Sequence, residues 1–360
     1  MKNILFISNM YPSDDNPSFG VFIKNVEKSI SKIGMLNMDP VYIYWKKRTK
    51  LKKLISYLIY WTKCYFKIIK NDYDIFYINY LTLSFVPFLF LTKHLKNKII
   101  ISHVHGSDLM YHENRNYFIR TFLKIVLEKA VRRTTFFVAP SIYYKMQIID
   151  KFEISEKIII VYPSGGVNAH KFYNRKNNEL KNCLGYVGRL EKEKGVIELM
   201  ESIHNVCPFY PELKFIIIGS GSLGPYVKKF ISDNSLNGKV ELIKPVSQEV
   251  LSSYYNSIDC LVFPTYRESL GLVAVEAMSC GVAVLGSNIP ALREYIRHQE
   301  NGFLFKIKSK NAIIESINWF YNLRSIDKKK ISDNAYNDSL KYNSDAVNND
   351  FTDELLKRIF

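Results

Sequence analysis

The chain reads as an α/β protein built from two Rossmann-like, doubly wound parallel-sheet domains. Three observations predict this. Short apolar runs bounded by turn residues alternate with longer stretches of helical period, the runs fall into two sets of six, and a polar segment without apolar period separates the sets. At 360 residues there is room for two ordinary domains, and a composition of 47% hydrophobic and 23% charged residues belongs to a folded protein.

The first set of strands is expected over Asn3–Ile7, Pro40–Tyr44, Ile75–Tyr80, Lys98–His103, Phe136–Ala139 and Ile158–Val161. The opening MKNILFIS reaches Asn9 and Pro12 too soon for a signal peptide and is read as the first buried strand. Ile75–Leu91 approaches the length of a short membrane span, but Asn79, Thr82, Ser84 and Pro87 interrupt it, so a strand running into a buried helix is expected. The polar linker covers His170–Lys181. The second set follows at Cys183–Val187, Lys214–Ile218, Val240–Leu242, Cys260–Phe263, Ala283–Gly286 and Gly302–Phe305, and the tail from Ser325 is helical in composition. Domain limits of 1–168 and 169–339 result. The five cysteines form no CxxC pair and no zinc-like spacing, which fits buried thiols in a reducing compartment.

Ligands of open parallel sheets bind beyond the carboxyl ends of the strands, so the segments after strands are where chemistry is sought. After the strand ending at Phe263, Glu268 and Glu276 stand eight apart around Ser269-Leu270-Gly271-Leu272 and a helix start, whose unpaired N–H groups suit a phosphate. Taken alone, the two glutamates are equally well read as ordinary charges near a helix N-terminus. After Cys183–Val187 come Gly188, Arg189, Lys194 and Gly195; a guanidinium fork with a mobile ammonium matches a diphosphate, the alternative being a solvated cluster with Glu191 and Glu193.

These elements, with Pro163-Ser-Gly165-Gly166-Val167-Asn168, resemble the retaining family 4 glycosyltransferases across most of the second half. The resemblance implies a GT-B fold, in which the two domains face across a cleft, residues 169–339 bind a nucleotide sugar, residues 1–168 bind the acceptor, and a last helix at about 340–360 returns to the first domain. It gives the donor diphosphate to Arg189 and Lys194, the transferred sugar to Glu268 and the ribose to Glu276. The first half matches more weakly. His105, in His103-Val-His105-Gly106-Ser-Asp108, resembles the family's His-Gly-x-Asp segment, where the histidine faces the donor sugar; a satisfied histidine at a strand end is the alternative. The loop Tyr11–Phe22 has only Gly20 where a glycine pair is usual, and Gly20 is the candidate phosphate contact there.

Three other patterns are set aside. Gly219-Ser-Gly221-Ser-Leu-Gly224 fits the dinucleotide fingerprint but follows the second strand of its set, so Gly219 and Gly221 are read as lining the nucleotide side of the donor site. His103, His105 and Asp108 miss metal-motif spacing by one residue, and Asp72-Tyr-Asp74 precedes its strand. No metal and no cofactor is expected.

The formal net charge of +16 points to an anionic partner without choosing among nucleic acid, lipid and phosphate-bearing substrates. Residues 45–70 carry nine Lys and Arg, no acidic residue, and interspersed Trp, Tyr, Phe, Leu and Ile. That mixture suits an anionic membrane surface better than a base-reading groove, the alternative being a core helix with a solvated basic face. No nucleic-acid module is visible. The expected protein is a metal-independent hexosyltransferase that moves a sugar from a nucleotide-diphosphate donor to a lipid-linked glycan acceptor with retention, peripheral on the cytoplasmic face of the membrane, in cell-surface polysaccharide synthesis. A sugar-nucleotide epimerase or a silent membrane-bound scaffold of the same fold are the rival readings.

Overall fold

A computed structural model describes residues 1–13, 20–44, 49–106, 108, 116–174 and 181–360, apart from the side chains of Lys50 and Thr92. The chain divides into one compact unit of residues 1–165 with 347–360 and a second of residues 166–346. Part of the expected linker, 175–180, lies outside the described residues, as do 14–19 of the Gly20 loop, 45–48 of the basic segment and Ser107.

In the first unit six parallel strands, β1 (Lys2–Tyr11), β2 (Leu36–Tyr44), β3 (Ile75–Asn79), β4 (Ile99–His103), β5 (Phe136–Ala139) and β6 (Ile159–Val161), are ordered β2-β1-β3-β4-β5-β6. β3 is buried along its whole length, as its unbroken apolar sequence requires in a sheet covered on both faces. β2 starts four residues earlier than its apolar run because it is an edge strand, where Asn37 and Asp39 reach water and Pro40 removes no ladder bond.

One face of this sheet is covered by α1 (Val21–Ser31), the other by α2 (Lys50–Lys70), α3 (Leu81–Phe85) with a 3₁₀ turn at Val86–Phe90, α4 (Tyr117–Arg133) and α5 (Ile142–Phe152). Side-chain caps start three of these: Thr49 accepts from Lys52 N, Asn116 from Phe118 N at 3.0 Å, and Ser141 from Tyr144 N at 3.1 Å. The stretch Ile75–Leu91 is therefore strand, helix and turn, and no described helix is long and apolar enough to cross a membrane.

The second unit holds β7 (Cys183–Val187), β8 (Lys214–Ile218), β9 (Val240–Ile243), β10 (Cys260–Phe263), β11 (Ala283–Ser287) and β12 (Gly302–Phe305), all parallel in the order β12-β11-β10-β7-β8-β9. Its helices are α6 (Val196–Val206), α7 (Gly224–Asp233), α8 (Gln248–Tyr255), α9 (Leu272–Ser279), α10 (Pro290–Arg293), α11 (Lys310–Asn322) and α12 (Ser325–Ser339). The last helix, α13 (Ser344–Ile359), belongs from Val347 onward to the first unit. There Val347, Phe351, Leu355 and Ile359 enter the same core as Ile4, Phe6, Ile23 and Val26, and the rings of Phe351 and Tyr162 lie 4.1 Å apart. Ser29 Oγ and Tyr162 OH both donate to Asn348 Oδ1 at 2.7 Å, and Lys2 Nζ donates to Ile359 O at 2.8 Å.

Candidate functional site

The strand orders place the points where winding reverses between β1 and β3 in the first sheet and between β7 and β10 in the second, and such points leave a crevice at the carboxyl ends. The residues singled out in the second half sit at that reversal. β7 runs into Gly188-Arg189-Leu190 and a short turn at Lys192–Lys194; β10 runs into the loop Pro264–Gly271 that opens α9.

The two loops are tied together. Tyr266 N donates to Glu193 O at 2.9 Å, Tyr266 OH donates to Glu198 Oε1 at 2.6 Å, and Gly195 packs so closely on the Pro264 carbonyl that a Cβ would overlap it. Gly195 also has φ +68°, so both its close approach and its backbone conformation favour glycine. This arrangement brings Lys194 to Glu268: their side chains form an ion pair, at 17% and 16% exposure. Two groups that the resemblance assigns to different parts of a ligand are thus partners in the folded chain.

Arg189 stands differently. Its guanidinium is largely exposed and pairs with Glu193 Oε1 at 2.9 Å, while Glu191 accepts from Ser222 N at 2.9 Å and Ser222 Oγ at 2.5 Å. The acidic neighbours of this cluster bind Arg189 and Ser222, not the lysines. An exposed pair of this kind contributes little to stability, which leaves Arg189 easily redirected to an anion.

Glu276 lies in the second turn of α9 and is buried. Tyr255 OH donates to its Oε2 at 3.1 Å and Gln248 also hydrogen-bonds it, yet burial still pushes its carboxyl up to about 7. Gly271 caps α9 with φ +89°, and Tyr295 OH donates to the Leu270 and Gly271 carbonyls at 2.8 and 3.3 Å, which fixes the turn Ser269–Leu272. Ala274 N donates to the Gly271 carbonyl at 2.9 Å, while the N–H groups of Leu272 and Val273 have no acceptor within the helix.

Gly219 and Gly221 are explained by backbone packing. A Cβ on Gly219 would overlap the Gly188 carbonyl, and one on Gly221 the Leu190 carbonyl. Leu190 N donates to Ser220 O and Leu223 N to Leu190 O, each at 2.9 Å, so this loop supports the Arg189 loop from behind. Close approach of backbone to backbone accounts for the fingerprint pattern there.

In the first unit His105 follows β4 and is buried. Its Nε2 donates to Asn79 Oδ1 at 3.0 Å, and Asn79 Nδ2 donates to Ile7 O at 3.2 Å, so the amide is oriented and the proton of His105 sits on Nε2. Burial lowers His105 to about 3, which keeps the ring neutral with Nδ1 as its acceptor nitrogen. Asp108 accepts from His105 N at 2.8 Å and is held at about 7 by burial. It therefore braces the loop backbone; among the described residues no group of three or more His, Cys, Asp or Glu is placed to hold a metal ion.

His103 ends β4, stacks 4.0 Å from His105 and shares a 2.9 Å hydrogen bond with Tyr77 OH. Phe22 and Tyr80 each lie 4.9 Å from the His105 ring, and Tyr80 holds φ +61°, a left-handed conformation rare for an aromatic residue. Gly20 is the N-cap of α1, against Met10. Asp72 pairs with Lys98 at 2.5 Å and Asp74 accepts from Asn3 N at 2.8 Å, both as turn chemistry.

Sequence reading missed Asn79, Tyr255 and Tyr295. Asn79 carried a signal, being the polar residue that closes an apolar strand at the sheet's ligand end. The two tyrosines come from α8 and from beyond α10, and no local pattern connects them to Glu276 or Gly271.

The helix α2 turns Tyr60, Cys64 and Ile68 to the core, while Leu51, Ile55, Leu58, Ile59, Phe66 and Ile69 are exposed. Its outward face is thus an apolar stripe at i, i+4, i+7 spacing flanked by exposed lysines such as Lys52, Lys63 and Lys70.

Comparison with known proteins agrees with these observations. Residues 36–165 match the model of Glycosyltransferase Family 4, and residues 169–338 that of Glycosyl transferases group 1. The capsular polysaccharide biosynthesis glycosyltransferase CapM of Staphylococcus aureus is 29% identical over 253 residues, covering 65% of this chain and 63% of CapM. An uncharacterized glycosyltransferase of Methanocaldococcus jannaschii is 28% identical over 251 residues, covering 69% of this chain and 66% of the relative. The match thus spans just under two-thirds of these relatives' length.

Among solved structures, sucrose-phosphate synthase from Thermosynechococcus elongatus superposes with a TM-score of 0.78 at 17% identity over 99% of both chains. Anabaena HepE, solved in complex with UDP and glucose, gives 0.75 at 16% over 99% of this chain and 100% of HepE. Identities this low speak for the fold alone. With two six-stranded parallel sheets of this order and two family models covering 36–165 and 169–338, the chain belongs to the glycosyltransferases of the GT-B type, family 4 and group 1.

Proposed function

We propose that this chain transfers a sugar from a nucleotide-diphosphate sugar to a lipid-linked glycan acceptor, with retention at the anomeric carbon, while peripheral on the cytoplasmic face of the membrane. The observation that carries this reading is the meeting of Lys194 and Glu268, ahead of the buried Glu276, at the reversal point of the second sheet. A cation, a carboxylate and a helix N-terminus lie together there, which supports a donor whose sugar, diphosphate and ribose follow one another in that order.

In this reading Arg189 and Lys194 stabilise negative charge growing on the departing diphosphate, and the Ser269–Leu272 turn offers backbone N–H groups to it. Glu268 accepts from sugar hydroxyls, Glu276 from the ribose, and His105 takes the sugar-facing role that the family resemblance gives it. The acceptor oxygen bonds to the anomeric carbon on the face from which the diphosphate leaves. The C–O bond to the leaving group breaks, and the acceptor proton passes to the departing phosphate oxygen. Glu268, held by Lys194, orients the sugar in this route instead of attacking it.

The acidic-free, apolar outward stripe of α2 supports an anionic membrane as the place of work, and the likeness to CapM supports a role in surface polysaccharide synthesis. UDP-sugars are the first donors to try, since HepE has been solved with UDP and with UDP-glucose.

The test is a thermal-shift screen of nucleoside diphosphates and their sugars in the presence of EDTA, on the native chain and on the Glu276→Ala and Lys194→Ala variants. One nucleotide series is expected to raise the native Tm and to raise it much less in both variants. Absence of stabilisation by any of them overturns the donor site. Nucleoside diphosphate released without added acceptor, together with a changed free sugar nucleotide, would favour the epimerase.

A further inference from the structure

The first unit carries a second exposed apolar face that the basic segment does not include. On α4, Phe118, Phe122, Ile125, Lys129 and Arg132 follow one another at i, i+4, i+7, i+11 and i+14, the spacing of a single helix stripe. All five are exposed, Phe118 at 77%, while Val126, Leu127 and Ala130 on the opposite side are buried in the core. A helix that spends its core face on three small or medium residues and presents two phenylalanines and an isoleucine outward has a surface that no described residue covers.

α4 lies on the same face of the sheet as α2. α3 and the Val86–Phe90 turn that continues it join them: Trp61 Nε1 of α2 donates to Leu83 O of α3 at 2.8 Å, and Arg133 Nη1 of α4 donates to Phe88 O of the turn at 3.2 Å. Between the helices Phe90 stands 79% exposed. Both helices turn their core faces to one sheet, so their outward stripes look the same way, with Phe90 between.

We propose that the outward stripe of α4, with Phe90, is a second insertion point into an anionic lipid surface, so that the first unit docks through two parallel amphipathic helices. This rests on the membrane reading of α2. Charge selects the occupant. Within Tyr117–Arg133 there are five Lys and Arg against the single Glu128, and α2 has no acidic residue. A second copy on this face would set basic stripe against basic stripe, whereas an anionic headgroup layer neutralises the lysines and arginines as the Phe, Ile and Leu side chains enter the acyl boundary. The gradient along α4, aromatic in the first half of the stripe and basic in the second, matches a helix that inserts its N-terminal turns deepest.

The test is co-sedimentation of the full chain with vesicles of phosphatidylglycerol and phosphatidylcholine, or of phosphatidylcholine alone, for the native protein, Phe118→Glu/Phe122→Glu and Leu58→Glu/Ile59→Glu. All four positions are exposed, so each double variant is expected to keep its far-UV spectrum and Tm. The native chain is expected to bind the anionic vesicles, and each double variant to partition at least about tenfold less, as loss of two inserted apolar side chains requires. Native binding that survives in Phe118→Glu/Phe122→Glu but falls in Leu58→Glu/Ile59→Glu overturns the role of α4 and leaves α2 as the membrane helix. No native binding overturns both. A concentration-dependent dimer that Phe118→Glu/Phe122→Glu dissociates, without lipid binding, overturns it in favour of self-association.

Discussion

Glu276 is a buried carboxyl whose hydrogen bonds from Tyr255 and Gln248 do not compensate for its removal from water, so its pKa stands near 7 in the folded chain against an ordinary value of 4.5. The folded state therefore holds a proton that the unfolded state releases. Its contribution is fully present below about pH 4.5 and is lost as the pH rises through 7. Glu276→Gln is expected to lose less Tm than the native chain between pH 5.5 and pH 8.5, because the amide has no proton to release. Asp108, His103 and His105 are common to both proteins, so the difference between the two Tm curves isolates Glu276; parallel curves would contradict its buried, proton-holding state. The same residue was legible in the sequence as one half of a pair eight apart. Its partner Tyr255 was not, because a contact 21 residues away in sequence depends on how α8 lies against α9.

At the level of elements, the strand runs were legible because a parallel strand covered on both faces must be apolar throughout, and β3, β7 and β10 obey that rule. β2 was half-hidden for the opposite reason: at a sheet edge Asn37, Asp39 and Pro40 cost nothing. The loops were legible as motifs but not as contacts. Gly188, Gly195, Gly219 and Gly221 looked like space left for a ligand, and the structure shows Gly219 and Gly221 giving their space to neighbouring carbonyls. The ion pair of Lys194 with Glu268 was equally unannounced, since the two are 74 residues apart. Gly195→Ala is expected to cost at least about 2 kcal/mol, from the positive φ and the Pro264 carbonyl together, and to weaken donor binding as Lys194 shifts. Gly34→Ala, which meets nothing within 4 Å, is expected to stay within about 0.5 kcal/mol, and urea titration of the two variants beside the native chain checks both values.

At the scale of the whole molecule, the two family models divide the chain as its two cores do, except that the first core is completed by residues neither model includes. Val347, Phe351, Leu355 and Ile359 are its far wall. Removing residues 344–360 would expose Phe6, Ile23 and Val26 and leave Ser29 and Tyr162 without Asn348. Deletion is therefore expected to abolish cooperative unfolding of the first unit and to make residues 1–165 protease-sensitive, while residues 166–343, which keep the core of the second unit, survive limited proteolysis. A protected fragment from the first unit after that deletion would contradict the role given to α13.

That shared core also sets an order of events during synthesis. Domains usually become native as they leave the ribosome, the N-terminal one first. Here the wall of the first core is translated some 180 residues after the rest of it, once the entire second unit has been synthesised. The later-made half can reach its native state while the earlier-made half waits, its apolar face and that of α2 still open, for the last helix to arrive. For such a chain a chaperone or a nearby lipid surface would matter most at the N-terminal half, and a premature stop codon near the end would damage the part of the protein made first.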